Sequence, residues 1–172
     1  MNPKDLTFLP LRITAETHPP SLSLIDVDEY VPLRWRSYAP PLGVGYLRLG
    51  DFNATLLELA IEPRTQAVRG VTLTSIDCES AWPSFQIEEA SESLPSLDAN
   101  CEAAEIRDVR CELRAAASGA EVLIWWSELG ECNALGPKNA RFLVRDGNIV
   151  GVRFAGLDDE QREAFAAHLS RR

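Results

Sequence analysis

The side chains best suited to chemistry in this 172-residue chain are a few thiols and imidazoles and a run of carboxylates. A thiolate acts as a nucleophile when a histidine takes its proton, and the two partners meet only in the fold. The candidates are Cys78, Cys101, Cys111 and Cys132, with His18 and His168 near opposite ends of the chain. A Cys-His nucleophile pair therefore stays open, but no spacing selects one.

The spacing of these residues does not match a metal site, because the chain has no CxxC and no HxxxH pattern. We expect no metal and no cofactor. The cysteines are also too scattered to indicate a disulfide framework, and free thiols suit a reducing cytosol. We expect them to be buried or half-buried side chains.

The acidic residues are concentrated in one interval. Between Arg69 and Arg107 the chain has no lysine or arginine, and the net charge of the whole chain is -9. The acids of the interval are Asp77, Glu79, Glu88, Glu89, Glu92, Asp98, Glu102 and Glu105. The rest of the chain has 18 acidic and 17 basic side chains, so it is nearly neutral.

Three interpretations of the acidic interval are open: a solvated linker, a binding face for a basic protein, or a carboxylate active site. Acid-base catalysis needs two acids in different environments, and no spacing identifies such a pair. A cluster of acids speeds the encounter with a basic partner, and rigid aromatic rings anchor interfaces. We predict a partner-binding site without catalytic residues, formed by Asp77, Glu79, Trp82, Phe85, Glu88, Glu89 and Glu92.

Several classes of function are disfavoured. The acidic balance argues against direct binding of nucleic acid, and GxGxxG, GxxxxGKS and GxSxG are absent. The longest run of aliphatic and aromatic residues, 122–126, is too short to cross a membrane. Asp5 and Pro10 disfavour a secretory signal, so we expect a cytoplasmic protein.

The first 42 residues are rich in proline and predict a loop with short extended pieces. Within them, Tyr30, Trp35 and Tyr38 flank Arg34 and Arg36. This arrangement favours either a stacking platform at the rim of a pocket or an arm whose aromatic rings cover the edge of the core.

Alternating apolar residues and turn signals predict three hairpins and a helix. The hairpins pair 56–62 with 67–74, 108–115 with 121–126, and 140–145 with 148–155. The helix begins at the N-cap Asp158, with Gln161 as its capping partner. Phe165, Ala166 and Leu169 form its apolar stripe.

These elements predict a single α+β domain that is rich in strands. We expect six to eight strands, mostly in an antiparallel meander, with the C-terminal helix packed on one face. Its parts are an arm (1–42), a first strand group (43–75), an acidic loop (76–106), a second strand group (107–157) and the helix (158–172). Residues 68–73 resemble 149–154 at an offset of 81. The match indicates either two related halves, whose matching glycines would mark bulges or close backbone approach, or only the residue preferences that alternating strands share.

The chain resembles the small acidic immunity proteins of bacterial toxin systems, including contact-dependent growth inhibition. The resemblance rests on size, acidity, the strands 57–63 and 68–73, and the closing 152–157 followed by Asp158-Asp159-Glu160. It implies a monomer or weak dimer that neutralises a cognate toxin, often a nuclease, by binding without catalysis. An acidic, aromatic loop is suited to cover a basic groove.

Two other functions stay open. One is a small-molecule-binding β-barrel or small enzyme whose pocket is rimmed by Arg34, Trp35, Arg36 and Tyr38. The other is a subunit of a larger assembly, for which a long exposed edge strand would be the sign.

Overall fold

Strands form most of the regular structure in the computed structural model, which describes residues 11–38, 43–77 and 79–170. Cys78 and the first ten residues of the arm lie outside these ranges. The elements are β1 (Ile13–Thr17), β2 (Leu24–Asp26), β3 (Leu33–Arg36), β4 (Gly45–Gly50), β5 (Leu56–Ile61), β6 (Val68–Ser75), β7 (Phe85–Ser91), β8 (Leu94–Leu97), β9 (Ile106–Arg110), β10 (Arg114–Ser118), β11 (Glu121–Trp125), β12 (Gly130–Leu135), β13 (Ala140–Arg145), β14 (Asn148–Phe154) and α1 (Asp159–Leu169).

The described residues thus contain 14 strands, and the predicted six to eight were too few. The strands that were missed lie in the proline-rich arm, in the acidic interval and, for β12, in the second strand group. Several have only three to five residues, such as β2 and β8, and such short segments show too little alternation to be recognised. The prediction of a β-rich domain with a C-terminal helix is confirmed.

Two open six-stranded sheets pack face to face around one core. Sheet 1 has the order β2-β3-β6-β5-β4-β9, and sheet 2 has the order β10-β11-β14-β13-β12-β7. Apolar side chains from both sheets belong to the same buried cluster. Trp35 of sheet 1 meets Phe142 of sheet 2 edge to face, with ring centroids 5.6 Å apart.

The two sheets have the same topology. In each, three consecutive strands form a meander, two earlier strands extend it, and the last edge strand is parallel to its neighbour. Most pairs are antiparallel, as predicted, but a simple meander describes only β4–β6 and β12–β14.

Gly70 and Gly151, which the internal match aligns, occupy equivalent positions. Each lies beside a register shift in its hairpin, between Ala60 and Ile61 in sheet 1 and between Leu143 and Val144 in sheet 2. The backbone is also close at both sites: a Cβ on Gly151 would lie 2.8 Å from the carbonyl oxygen of Ile124, and one on Gly70 would lie 3.3 Å from that of Trp35. The predictions of a bulge and of close approach are both confirmed.

The short ribbon formed by β1 and β8 joins the ends of the two central hairpins. Ser96 of β8 bridges Ala67 in the β5–β6 hairpin, and Arg12, the residue before β1, bridges Asn148 in the β13–β14 hairpin. Ala67 and Asn148 are again 81 positions apart in the sequence. The correspondence between the two halves therefore includes the position at which each central hairpin is bridged by the β1–β8 ribbon.

The acidic loop (76–106) contains more strand than its prolines and serines predicted, although more than half of its described residues lie outside strands. It contains β7 and β8 and leads into β9, and β7 and β9 are exchanged between the sheets. β7 follows the strands of sheet 1 but completes sheet 2, whereas β9 precedes the strands of sheet 2 but completes sheet 1. The predicted hairpin of 108–115 with 121–126 is confirmed in its second strand, because β10 pairs with β11. Its first strand is wrong, because residues 111–113 carry the chain from β9 in sheet 1 to β10 in sheet 2.

Helix α1 begins with the predicted capping box between Asp158 and Gln161. Phe165 is buried in the shared core, and Leu169 packs against it. Ala166 is exposed, so the predicted stripe is wrong at this position; His168 is buried instead, and its Nε2 lies 2.5 Å from the carbonyl oxygen of Asp28. This contact ties the end of the helix to the chain after β2.

The close approach at Gly151 predicts a graded loss of stability. Gly151→Ala should lower the free energy of unfolding by about 1–3 kcal/mol, because the new methyl group would press on Ile124 and Trp125. Gly70→Ala should cost less, and the control Gly43→Ala should cost little, since its Cβ would lie 3.8 Å from its nearest neighbour. Urea denaturation measures all three; equal losses at the three positions would contradict the packing described.

Candidate functional site

Two concave surfaces meet at Arg145, near the end of β13. One is an open cleft of about 540 Å³ between residues 83–84 and the segment that joins β11 to β12. Trp125 and Trp126 form part of its lining, together with Arg114 and Arg145. Both arginines are already paired, Arg114 with Glu112 at 3.1 Å and Arg145 with Glu128 at 3.4 Å.

On its other side, Arg145 lines an acidic groove of about 520 Å³. Glu88 of β7, Glu131 of β12 and Asp146 of the β13–β14 turn contribute three carboxylates. Arg145 is the single base in this lining, and its Nε lies 3.8 Å from Asp146. The groove therefore carries a net charge of about -2 and suits a lysine or arginine side chain.

Sequence reasoning placed Glu88 in a binding site but missed Arg145, Glu131 and Asp146. Asp146 lies in the turn between the predicted strands 140–145 and 148–155. Its proximity to Glu88 depends on the pairing of β7 with β12, which lie far apart in sequence. No local signal predicts that parallel pairing, since parallel neighbours need long crossover connections.

Most carboxylates of the acidic interval are free of internal partners. Of the eight acids, Glu105 alone forms an ion pair within the described part of the chain, with Arg107 at 2.7 Å. The side chains of the other seven are exposed. Elsewhere many acids are neutralised, as in the bidentate pair of Arg48 with Asp108. The interval thus presents uncompensated charge to solvent.

The two aromatic residues predicted as anchors have an internal role. Trp82 and Phe85 lie with ring centroids 6.4 Å apart. Together with Ile87 they pack against a second buried cluster on the outer side of sheet 2, which includes Leu123 and Leu143. Their half-buried rings cover this cluster and leave one face at the surface.

The seven predicted site residues do not form one patch. Glu88 and Glu89 lie on β7, and Glu92 follows it in the turn to β8. Asp77 lines a third pocket, of about 560 Å³, with Arg110 and Cys111; this pocket adjoins the cleft at Glu112 and does not include Glu88. Glu79 is exposed beside the segment in which the Ser80 amide donates to the carbonyl of Ala115. The structure therefore divides the predicted site into two groups.

Comparison with protein-family models and with curated proteins found no match to this chain. No relative supplies a role for these residues, so their function must be inferred from the chemistry of the surface itself. The helix of the described residues is too short and too polar to cross a membrane.

The arm does not form the predicted pocket rim in full, because Trp35 is fully buried. Its indole packs on Phe142, and its Nε1 donates a hydrogen bond of 2.9 Å to Ser23. Arg34 and Arg36 lie on the outer face of sheet 1, where Arg36 faces Asp26 at 3.8 Å. Trp35 thus belongs to the core itself, whereas Tyr30 is 81% exposed and Tyr38 is half-buried.

The described thiols are poorly placed for nucleophilic chemistry. Cys101 and Cys132 are buried, and burial raises the pKa of the half-buried Cys111 thiol to about 11. Neither histidine forms a hydrogen bond with a described cysteine, since the ring of His168 is engaged by a backbone carbonyl. Cys78 lies outside the described residues.

The β4–β5 loop beside Asp77 holds an unusual backbone. Phe52 has a φ of 63°, in the left-handed region. The guanidinium groups of Arg48 and Arg110 lie over its ring, 5.7 and 5.5 Å from the ring centroid. Asp51 secures the turn: backbone amides of Thr55, Asn53 and Ala54 donate to its Oδ1 and lower its pKa to about 2.

This loop predicts a pH dependence of stability. Because the pKa of Asp51 is lower in the folded chain than the usual 3.8, its ionised form favours folding, and this contribution should disappear as the pH falls toward 2. The stability difference between wild type and Asp51→Asn should therefore shrink between about pH 5 and pH 2. Thermal melts measure the difference, and carbon NMR should place the Asp51 midpoint near 2; a midpoint near 4 would contradict the hydrogen-bonded turn.

Proposed function

We propose that this chain is a non-catalytic binding protein for a basic protein partner, in the role of an immunity protein that neutralises a bacterial toxin. The acidic groove at Arg145 carries the proposal. Three carboxylates from β7, β12 and the β13–β14 turn converge there around a single arginine that Glu128 and Asp146 already engage. A lysine or arginine of a partner would complete this arrangement.

The neighbouring cleft supplies the second requirement of a protein interface, which is a depression for an anchoring side chain. Its volume of about 540 Å³ and its lining by Trp125 and Arg114 suit an aromatic or aliphatic side chain. The groove and the cleft meet at Arg145, so one partner segment can engage both. The exposed acids Glu89 and Glu92 lie close to Glu88 in sequence and would steer the encounter.

The same features suit a toxin inhibitor. A nuclease toxin presents basic side chains that bind phosphates, and a carboxylate surface can cover them. We propose accordingly that the chain acts in the bacterial cytoplasm as a monomer or weak dimer, without a cofactor or direct contact with nucleic acid. Binding of a small molecule in the cleft is less favoured, since both arginines there already have carboxylate partners.

Charge removal tests the proposal. The chain serves as bait in a lysate of its source, and the captured protein is identified and purified. Glu88→Gln, Glu89→Gln and Glu92→Gln combined should slow association with that protein by about tenfold at low salt and flatten its salt dependence. Stopped-flow fluorescence measures both.

A matched control removes the same charge elsewhere: Glu16→Gln, Glu160→Gln and Glu163→Gln combined, all exposed and without described ion pairs. This variant should associate nearly as fast as wild type. The captured protein should also arrest bacterial growth when expressed alone and be harmless when co-expressed with this chain. Equal on-rates for the two triple variants, or a captured protein without toxicity, would contradict the proposal.

A further inference from the structure

The edges of the two sheets differ in how open they are. β2 has only three residues, and Gln161 of α1 donates a hydrogen bond to its Ile25 carbonyl. β10 is approached by the segment before β7, where the Ser80 amide donates to Ala115. β7 and β9 have no strand or isolated bridge on their outer sides within the described residues. These two edges are therefore available for pairing.

β7 is the longer of the open edges, with seven residues against five for β9. At about 3.3 Å per residue it offers a pairing edge of about 20 Å. Its inner side is well fixed, because it pairs in parallel with β12 and its Ser91 carbonyl accepts from Gly136 and Arg141. Phe85 and Ile87 further hold it against the second buried cluster. A rigid strand with a free edge is preorganised for another strand.

Charge separates the two open edges. β7 carries Glu88 and Glu89 and no basic side chain, and Glu92 follows it. β9 carries Arg107 and Arg110 beside one acid, Asp108, which Arg48 neutralises. Adjacent glutamates on β7 oppose pairing with a second copy of the same strand, since like charges across a strand pair are destabilising. They favour a strand that carries lysine or arginine.

We propose that β7 binds its partner by strand addition, in which an extended basic segment of the partner pairs with the outer edge of β7 and extends sheet 2. This inference rests on the proposed function and specifies its geometry. Main-chain hydrogen bonds would supply affinity, and basic side chains of the added strand would lie beside Glu88 at the β7 side of the groove.

Amide hydrogen exchange on the intact chain tests the proposal, with a synthetic peptide of alternating lysine and valine, as long as β7, as the probe. Alternate amides of β7 point outward, so they should exchange at least about tenfold more slowly when the peptide is bound. The amides of β9 should be unchanged, which makes β9 an internal control. A peptide of alternating glutamate and valine should protect neither strand.

The charge-reversed variant Glu88→Lys/Glu89→Lys should exchange these preferences and bind the glutamate peptide instead. Both positions are exposed, so the variant is expected to fold. Binding of the lysine peptide without protection of β7 amides would overturn strand addition but leave the acidic binding surface intact. No binding of the lysine peptide, together with equal on-rates for the two triple glutamine variants, would overturn both.

Discussion

The exchange of β7 and β9 between the two sheets is the constraint on which the rest of the structure depends. Each half of the chain forms five strands of one sheet, and each sheet receives its sixth strand from the connection between the halves. Both exchanged strands pair in parallel, and β8 between them caps the first hairpin. One continuous segment therefore supplies an edge strand to each sheet, β7 and β9, and one strand, β8, of the ribbon that joins the two hairpins.

This constraint explains how an interval that is so acidic can be ordered. Its apolar residues point inward: Leu94, Leu97 and Cys101 are buried in the shared core, and Phe85 and Ile87 cover the second cluster. The carboxylates between them are exposed. The segment thus has enough apolar surface to hold it in place, and the acids avoid the cost of desolvation. Because β7 is fixed from within, Glu88 is held in the groove that Glu131 and Asp146 also line.

Local signals in the sequence were sufficient for some elements. The turns at residues 63–66 and at Asp146-Gly147, and the capping box at Asp158, lead to the observed hairpins and helix because each depends on neighbours in sequence. The offset of 81 also located two equivalent glycines. The strand β8 was not predicted, because Pro95 and the nearby serines are typical of a loop. It has four residues and all are buried, so it shows no alternation of apolar and polar side chains.

The candidate site shows the same division between local and long-range information. Glu88 could be named from charge alone. The other two carboxylates of the groove, Glu131 and Asp146, are brought near it by a parallel strand pairing that sequence patterns do not encode. Trp82 and Phe85 were recognised as important rings, yet composition could not distinguish an interface anchor from a cover for the second cluster. Trp35 was assigned to a rim because the arm gave no sign that β3 runs through the core.

Native-state hydrogen exchange of wild type and Ile87→Ala tests most directly whether the exchanged segment holds the two halves together. Ile87 is half-buried on β7, so its truncation should remove about 1–2 kcal/mol of stability. If the exchanged strands unite the halves, the slowest amides of β5 in sheet 1 and β13 in sheet 2 should accelerate by the same factor, about tenfold. Acceleration confined to sheet 2 would contradict the account, because the halves would then open independently.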